Sequence, residues 1–254
     1  MQNRQKTPDP PGAIEILFED PRFLVLNKRA GLAVQGGEGV GISLDALLGR
    51  LYRPKPFLVH RLDKDTSGVM VVAKTREAAA ACAALFAQKS ALRKRYLAFC
   101  GGLIPPGGLI RETLGVRGKN KAAETRYKLL GAGNLPGIAE DTPDPRCSLV
   151  ILEPATGRMH QIRRHLAGMG HPVLGDGKYG NFKLNRLLQK NLGLKRLLLH
   201  ALSLYLPPAL LGQGREITAP PPDYFLEFLK KAGLEEPGPE IASFHLDMEN
   251  HFSP

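Results

Sequence analysis

Apolar and polar positions alternate with a period near two along much of this chain, and clusters of turn-forming residues interrupt the alternation. "IEILFED" and "FLVLNKR" flank Asp20-Pro21-Arg22, so 14–29 reads as a hairpin. "FLV" (57–59) and "VMVVA" (69–73) enclose "HRLDKDTSG" (60–68), which reads as a second hairpin with an unusually charged middle. Strands are also expected in "KRYLAFCGGL" (94–103), "AAETRYKLL" (122–130), "CSLVILE" (147–153), "RLLLHALSLYLP" (196–207) and, more weakly, "REITAP" (215–220). The period turns helical in "SLDALLGRLY" (43–52) with Ser43 as N-cap, and in "REAAAACAALFAQKS" (76–90) after Thr75. Further helices are expected in "RMHQIRRHLAGMG" (158–170), closed by glycines, near "KLNRLLQKN" (183–191) and in "DYFLEFLKKAG" (223–233). Strands pair with sequence neighbours more than through βαβ repeats. The predicted fold class is therefore α+β, a single domain over 13–234 with a mixed, mostly antiparallel sheet flanked by helices and loops. Residues 1–12 read as a flexible leader and 235–254 as an acidic, flexible tail.

Composition narrows the class. The chain has 254 residues, 43% of them hydrophobic, enough for a real core. No apolar run approaches a membrane span and the first residues carry no apolar signal core, so a cytoplasmic protein is expected. Cys82, Cys100 and Cys147 are scattered and form no CxxC, which argues against a disulfide framework or a zinc ribbon and for a reducing compartment. "GLAVQGGEGVG" lacks the spacing of a phosphate-binding loop. The formal net charge is +11, and because the last twenty residues hold five acids and no lysine or arginine, the rest of the chain stands at +16. Such a body suits a polyanionic partner. The absence of a basic amphipathic helix in this reading weakens a membrane surface and favours nucleic acid.

Three clusters carry candidate chemistry. In "HRLDKDTSG", turn chemistry accounts for Lys64, Asp65, Thr66, Ser67 and Gly68, but a loop needs no His60, Arg61 and Asp63 together. Period-two alternation is expected to set Arg61 and Asp63 on one face of a strand, pointing the same way. In "TGRMHQIRRHLAGMGH", a helix from about Met159 sets His160 and Arg163 three apart and groups Gln161, Arg164 and His165 elsewhere. That is either a solvated basic face or a phosphate-holding one. His160 and His165, five apart, miss the spacing of a zinc helix. In "RKRYLAF", Tyr96 is a packing residue or an aromatic platform. With Asp65 assigned to the turn, Asp63 is left as one acid among many bases, too few for the usual carboxylate pair of glycoside hydrolysis or for two-metal cleavage. An Asp beside Arg favours the ionised carboxylate, which suits nucleophilic or electrostatic roles over proton donation.

With these residues in view, "HRLDKDTSGVMVVAK" resembles the signature of the RluA-type pseudouridine synthases, and "KRYLA", "AAETRYKL", "TGRMHQIRRHLAGMGHPVLGDGKYG" and "RLLLHALSL" resemble its other motifs, in order, over about 14–220. The resemblance implies an enzyme that breaks the N1–C1′ bond of a uridine in RNA, turns the uracil and joins C5 to C1′, with no cofactor and no metal. It implies base flipping, which costs a few kcal/mol of unstacking. It implies catalytic roles for Asp63, Tyr96 (stacked on the uracil) and Arg163 (paired with the carboxylate). Arg61 resembles the residue that replaces the flipped base, and His60, Thr66, Ser67, Gly68, Arg158, His160, Gln161 and Leu199 are expected to contact RNA. The glycine-rich loop and "GDGKYGN…LNRLLQKN…LKRLLLHA" are most similar to members acting on 23S ribosomal RNA, so a monomeric rRNA-modifying enzyme is expected. The alternatives are a tRNA or dual-substrate synthase and a non-catalytic RNA-binding assembly protein. Two departures are visible: Arg29 replaces the usual proline in "NKRAG", and no N-terminal S4-type domain is expected before the first strand. The acidic tail is expected to compete with RNA for the basic face.

Overall fold

The computed structural model describes residues 14–39, 41–87, 92–116, 119–135, 138 and 144–235. The leader and all but the first residue of the acidic tail lie outside them. Ten strands are seen among the described residues: β1 (Glu15–Glu19), β2 (Phe23–Lys28), β3 (Phe57–Leu58), β4 (Ser67–Ala73), β5 (Lys94–Gly101), β6 (Gly107–Val116), β7 (Lys119–Asn134), β8 (Arg146–Pro154), β9 (Leu199–Leu206) and β10 (Arg215–Thr218). Six helices accompany them: α1 (Leu44–Leu51), α2 (Arg76–Ala87), α3 (Gln161–Gly168), α4 (Phe182–Leu192), α5 (Pro208–Leu211) and α6 (Asp223–Lys231). The strands form one sheet in the order β1-β2-β4-β9-β5-β8-β7-β6, with β3 beside β4 and β10 beside β9. Every named pair is antiparallel except β4 with β9.

Local chemistry explains most of these elements. The β1–β2 turn is held by Asp20, whose Oδ1 accepts from the backbone N–H of Arg22 and Phe23. Ser43 and Thr75 cap α1 and α2 by accepting from Ala46 and Ala78 N–H. Alternation along β5 sends Ala98 and Cys100 to one face and Leu97 and Phe99 to the other. The first pair packs with Ile162 and Leu166 of α3, the second with Leu184 and Leu188 of α4 and Phe225 and Phe228 of α6. All three cysteines are buried and free.

Some expectations need correction. The second hairpin is far shorter than its apolar flanks suggest. Only Phe57 and Leu58 pair with β4, and the chain leaves the sheet at Val59. The His60 side chain takes over the strand's role, its Nε2 accepting from Val71 N–H at 3.0 Å. Arg61 and Asp63 are therefore not strand residues, and the alternation argument for their shared direction does not apply. The turn spans Asp63 to Thr66, closed by Thr66 N–H to Asp63 C=O, while Ser67 and Gly68 already belong to β4. Strand β6 was not expected, because "GGLIRETLGV" has glycines at its head and charge in its middle. It is stabilised by pairing along its whole length with the next strand, the sixteen-residue β7. Helix α3 begins at Gln161, leaving His160 as a left-handed residue (φ 53°) before it.

The join between the two halves of the sheet is narrow. Strands β4 and β9 pair only at Ser67↔His200 and Gly68↔Ala201. Gly68 has φ +113°, and a Cβ there would sit 2.1 Å from the Ala201 carbonyl oxygen. Gly68→Ala is expected to destabilise the protein by about 2 kcal/mol or more, through a left-handed backbone and a backbone clash that no rotamer relieves. Denaturant titration checks this; an unchanged midpoint would contradict it.

Candidate active site

At the break in the sheet lies a cavity of about 250 Å³. Its walls come from the β3–β4 loop (His60, Arg61, Leu62, Asp63, Thr66), from Phe86 of α2, from Lys94 and Tyr96 of β5, from 154–158, from the start of α3 and from Leu199 of β9. Arg61 and Asp63 both line it, so the two point to one place even though no strand aligns them. Leu62 between them is buried among Leu24, Leu44 and Met70, and this anchors the loop. Asp63 is the single acid in the wall among the described residues.

One arginine and one histidine lie beside that acid. Arg163 Nη1 donates to Asp63 Oδ2 at 3.3 Å. The stronger grip on Arg163 is elsewhere: its Nε and Nη2 donate to the two oxygens of Asp176, both at 2.7 Å. Asp176 is fully buried and also accepts from the backbone N–H of Lys178 and Tyr179. Burial alone would raise the Asp176 carboxyl, but the Arg163 guanidinium and those two N–H groups outweigh it and hold the carboxyl below its usual range. Arg163 is thus pre-positioned by Asp176 and offers a remaining N–H to Asp63. His160 Nε2 lies 3.7 Å from Asp63 Oδ1, and its Nδ1 is 3.0 Å from the Tyr179 hydroxyl. Burial lowers the affinity of His160 for a proton, only partly countered by Asp63. Its left-handed backbone is the sort of strain that the surrounding contacts must hold in place.

Tyr96 reaches the cavity because the β5–β9 register shifts between Arg95 and Tyr96, a bulge that re-aims the side chain. Burial, with the nearby Asp63 carboxylate adding to it, pushes its phenol well above the ordinary tyrosine value, so the hydroxyl stays protonated. Tyr96 therefore offers an aromatic face and a donor. His60 stacks on Phe86 with ring centroids 4.6 Å apart. Burial, then Lys94, lowers its pKa to about 3, so it is a neutral structural ring at the cavity wall. Lys94 Nζ lies 5.9 Å from the Phe86 centroid.

Of the residues expected to contact RNA, His60, Arg61, Thr66, Arg158, His160, Gln161 and Leu199 line the cavity and Ser67 and Gly68 do not. Ser67 is buried with its hydroxyl 2.9 Å from His200 Nδ1, and Gly68 is packed on β9. Gln161 lines the wall but is fully engaged: Oε1 accepts from Thr156 Oγ1 and Arg158 N–H, and Nε2 donates to Glu124 C=O and Thr125 Oγ1. It fixes the 154–158 wall to β7. Two supporting residues escaped the sequence reading. Asp176 sits in "GDGKYG" with no local sign of its partner. Lys28 ends an apolar strand yet is buried, donating to the carbonyls of Arg29, Leu32 and Lys64. Burial, opposed by Asp65 and Asp63, lowers its pKa to about 8. It ties the loop bearing Asp63 to the loop after β2.

A cavity with one acid held among cations, an aromatic platform and no second carboxylate among the described residues fits rearrangement of a nucleoside better than hydrolysis. Comparison with known proteins agrees. A family model described as RNA pseudouridylate synthase matches residues 22–168. The chain is 33% identical over 224 residues to Ribosomal large subunit pseudouridine synthase C of Rickettsia typhi (strain ATCC VR-144 / Wilmington), covering 83% of this chain and 69% of that one. It is 32% identical over 237 residues to tRNA pseudouridine synthase C of Salmonella typhi, covering 87% and 90%. Among solved structures, Human RNA Pseudouridylate Synthase Domain Containing 4 superposes with a TM-score of 0.70 at 29% identity, over 88% of this chain and 95% of that one. These findings set aside the non-catalytic alternative: the chain belongs to the RluA-type pseudouridine synthases, intramolecular isomerases that act on RNA.

Proposed function

We propose that the chain isomerises specific uridines in 23S ribosomal RNA, with Asp63 as the catalytic carboxylate of the cavity. The observation that carries the reading is Arg163, locked on Asp176 and donating to Asp63. A flipped uridine enters between Tyr96, whose ring stacks on the uracil, and the wall of 154–158. The stack is worth about 1–3 kcal/mol and offsets part of the unstacking cost. Arg163 holds the Asp63 carboxylate in its ionised form and aimed at the ribose side of the base. Arg61, exposed at the rim, takes the space that the flipped base leaves. Arg158 and His160 hold the flanking backbone. No cofactor or metal enters the reaction. We take the enzyme to work as a monomer in the cytoplasm; no helix among the described residues is long and apolar enough to cross a membrane.

The ribosomal substrate is supported by the similarity to the Rickettsia typhi protein and by the "GDGKYGN…LNRLLQKN" region. A tRNA substrate is the second reading, favoured by the fuller mutual coverage with the Salmonella typhi protein. Incubating the protein with unmodified 23S rRNA and tRNA transcripts, followed by chemical mapping of pseudouridine, separates them. Modification of 23S rRNA at defined positions is expected. Modification confined to tRNA would replace the first reading by the second, and none in either would sink both.

A further inference from the structure

One run of surface is not used by the chemistry above. From Lys178 to Arg196 there are six basic residues and no acid, and all six are exposed. On α4, Lys183, Arg186 and Lys190 stand at i, i+3 and i+7, spanning about 10 Å. Leu184 and Leu188 are buried on the opposite side, so the three cations point away from the core, and α4 is a basic amphipathic helix of the kind the sequence did not single out. None of the three has an ion-pair partner among the described residues. Of the three, only Lys190, in the last turn, suits the helix dipole. Lys183 sits in the first turn, where the dipole disfavours a cation, and Arg186 and Lys190 are like charges four apart. A face that is only solvated normally mixes signs. At its head, Phe182 is 61% exposed.

The same helix is fastened to the active site. Asn185 Oδ1 accepts from Gly175 N–H, and its Nδ2 donates to Asp176 C=O, both at 2.9 Å. Asp176 in turn holds Arg163, which reaches Asp63. Between cavity and helix, Tyr179 contacts His160 and exposed Lys178 lies 5.5 Å from the Tyr179 ring centroid. A cationic path thus leads from the cavity rim, over 176–182, and onto the face of the sheet opposite α3.

We propose that α4 is a second RNA-binding surface, on which Lys183, Arg186 and Lys190 take backbone phosphates and Phe182 takes an unstacked base, while the target uridine occupies the cavity. This rests on the reading of the chain as an RNA-modifying enzyme. The charge complementarity is sequence-independent, so the surface supplies affinity and register and leaves the choice of uridine to the cavity. The Asn185 clamp keeps the docked strand at a fixed distance from Asp63. Because α4 lies across the sheet from α3, the RNA it serves must extend over the rim, beyond the nucleotides at the cavity.

The test compares two triple variants of the full chain. One is Lys183→Ala, Arg186→Ala, Lys190→Ala. The control, Arg50→Ala, Arg53→Ala, Arg76→Ala, removes the same charge from exposed positions that do not line the cavity. Alanine is a good helix former and all six positions are exposed, so both variants should fold, which circular dichroism verifies. Binding of unmodified 23S rRNA and tRNA transcripts is measured between about 50 and 200 mM salt, with turnover on whichever RNA is modified. For the α4 variant, Kd is expected to rise about 10- to 100-fold and the slope of log Kd against log salt to fall by about 2–3. KM should rise with kcat at saturation unchanged. An unmoved salt slope, or an equal loss in the control, overturns the α4 surface while leaving the enzyme reading intact. A wild-type protein that neither binds nor modifies either RNA overturns both.

Discussion

Asp63→Ala is expected to lose pseudouridine formation by about 10⁴-fold or more, with RNA binding retained or tightened. No other carboxylate lines the cavity among the described residues, so nothing stands in for it. Removing one negative charge from a cationic cavity cannot weaken its attraction for phosphate. The structural cost is small, because Arg163 keeps both of its bonds to Asp176. Chemical mapping of the RNA, alongside a melting curve, separates lost chemistry from lost fold. Modification at the wild-type rate with Asp63→Ala would rule out the assigned role.

The second large effect is on stability. Asp176→Ala removes the main partner of an arginine that is almost fully buried and leaves its charge only the longer contact with Asp63. Such a loss typically costs about 3–5 kcal/mol, a large part of the roughly 5–15 kcal/mol that holds a domain together. It also frees the Lys178 and Tyr179 N–H groups and releases Arg163 from the position that meets Asp63. Both a lower denaturation midpoint and a lower turnover are therefore expected, where Asp63→Ala lowers turnover alone. The pH dependence has a definite sign. The Asp176 carboxyl is depressed in the folded state, so its contribution is fully present above the unfolded value near 3.9 and fades as pH falls through the folded one. The stability gap between wild type and Asp176→Asn should accordingly narrow as pH drops below about 4. A gap that stays constant from pH 7 to about 3 would contradict the assignment.

How much of this was legible in the sequence depended on whether the determinant was local. Caps such as Ser43 and Thr75 and the Asp20 turn are set by neighbours and were read directly. Residues 107–116 were not, although their partner β7 follows after two residues, because glycine and charge within the strand hide it. The β3–β4 connection was misread for the opposite reason. Its flanks are apolar enough for long strands, but His60 replaces the backbone pairing and frees the loop to carry Asp63. The site's cations were visible as types, and Asp63, Tyr96 and Arg163 do converge. Their supports were not visible, since Asp176, thirteen residues beyond Arg163, and Lys28, thirty-six before Lys64, act through contacts that no pattern in the chain marks. Gln161 shows the converse. Its neighbourhood suggested an RNA contact, yet each of its polar atoms is already bonded within the protein.

The two-residue junction at Gly68 and Ala201 also bears on when the enzyme becomes able to work. Strand β9 stands between the half of the sheet that leads to Asp63 and the half that carries Tyr96, although it is made more than a hundred residues after Tyr96. During synthesis the N-terminal hairpin and the β5–β8 region can form first, each with its own share of the cavity wall. On this strand order the two walls are expected to face each other only after β9 has been made. A nascent chain therefore displays basic surface before it owns a reactive centre, and the capacity to alter RNA arrives as one of the last events of folding.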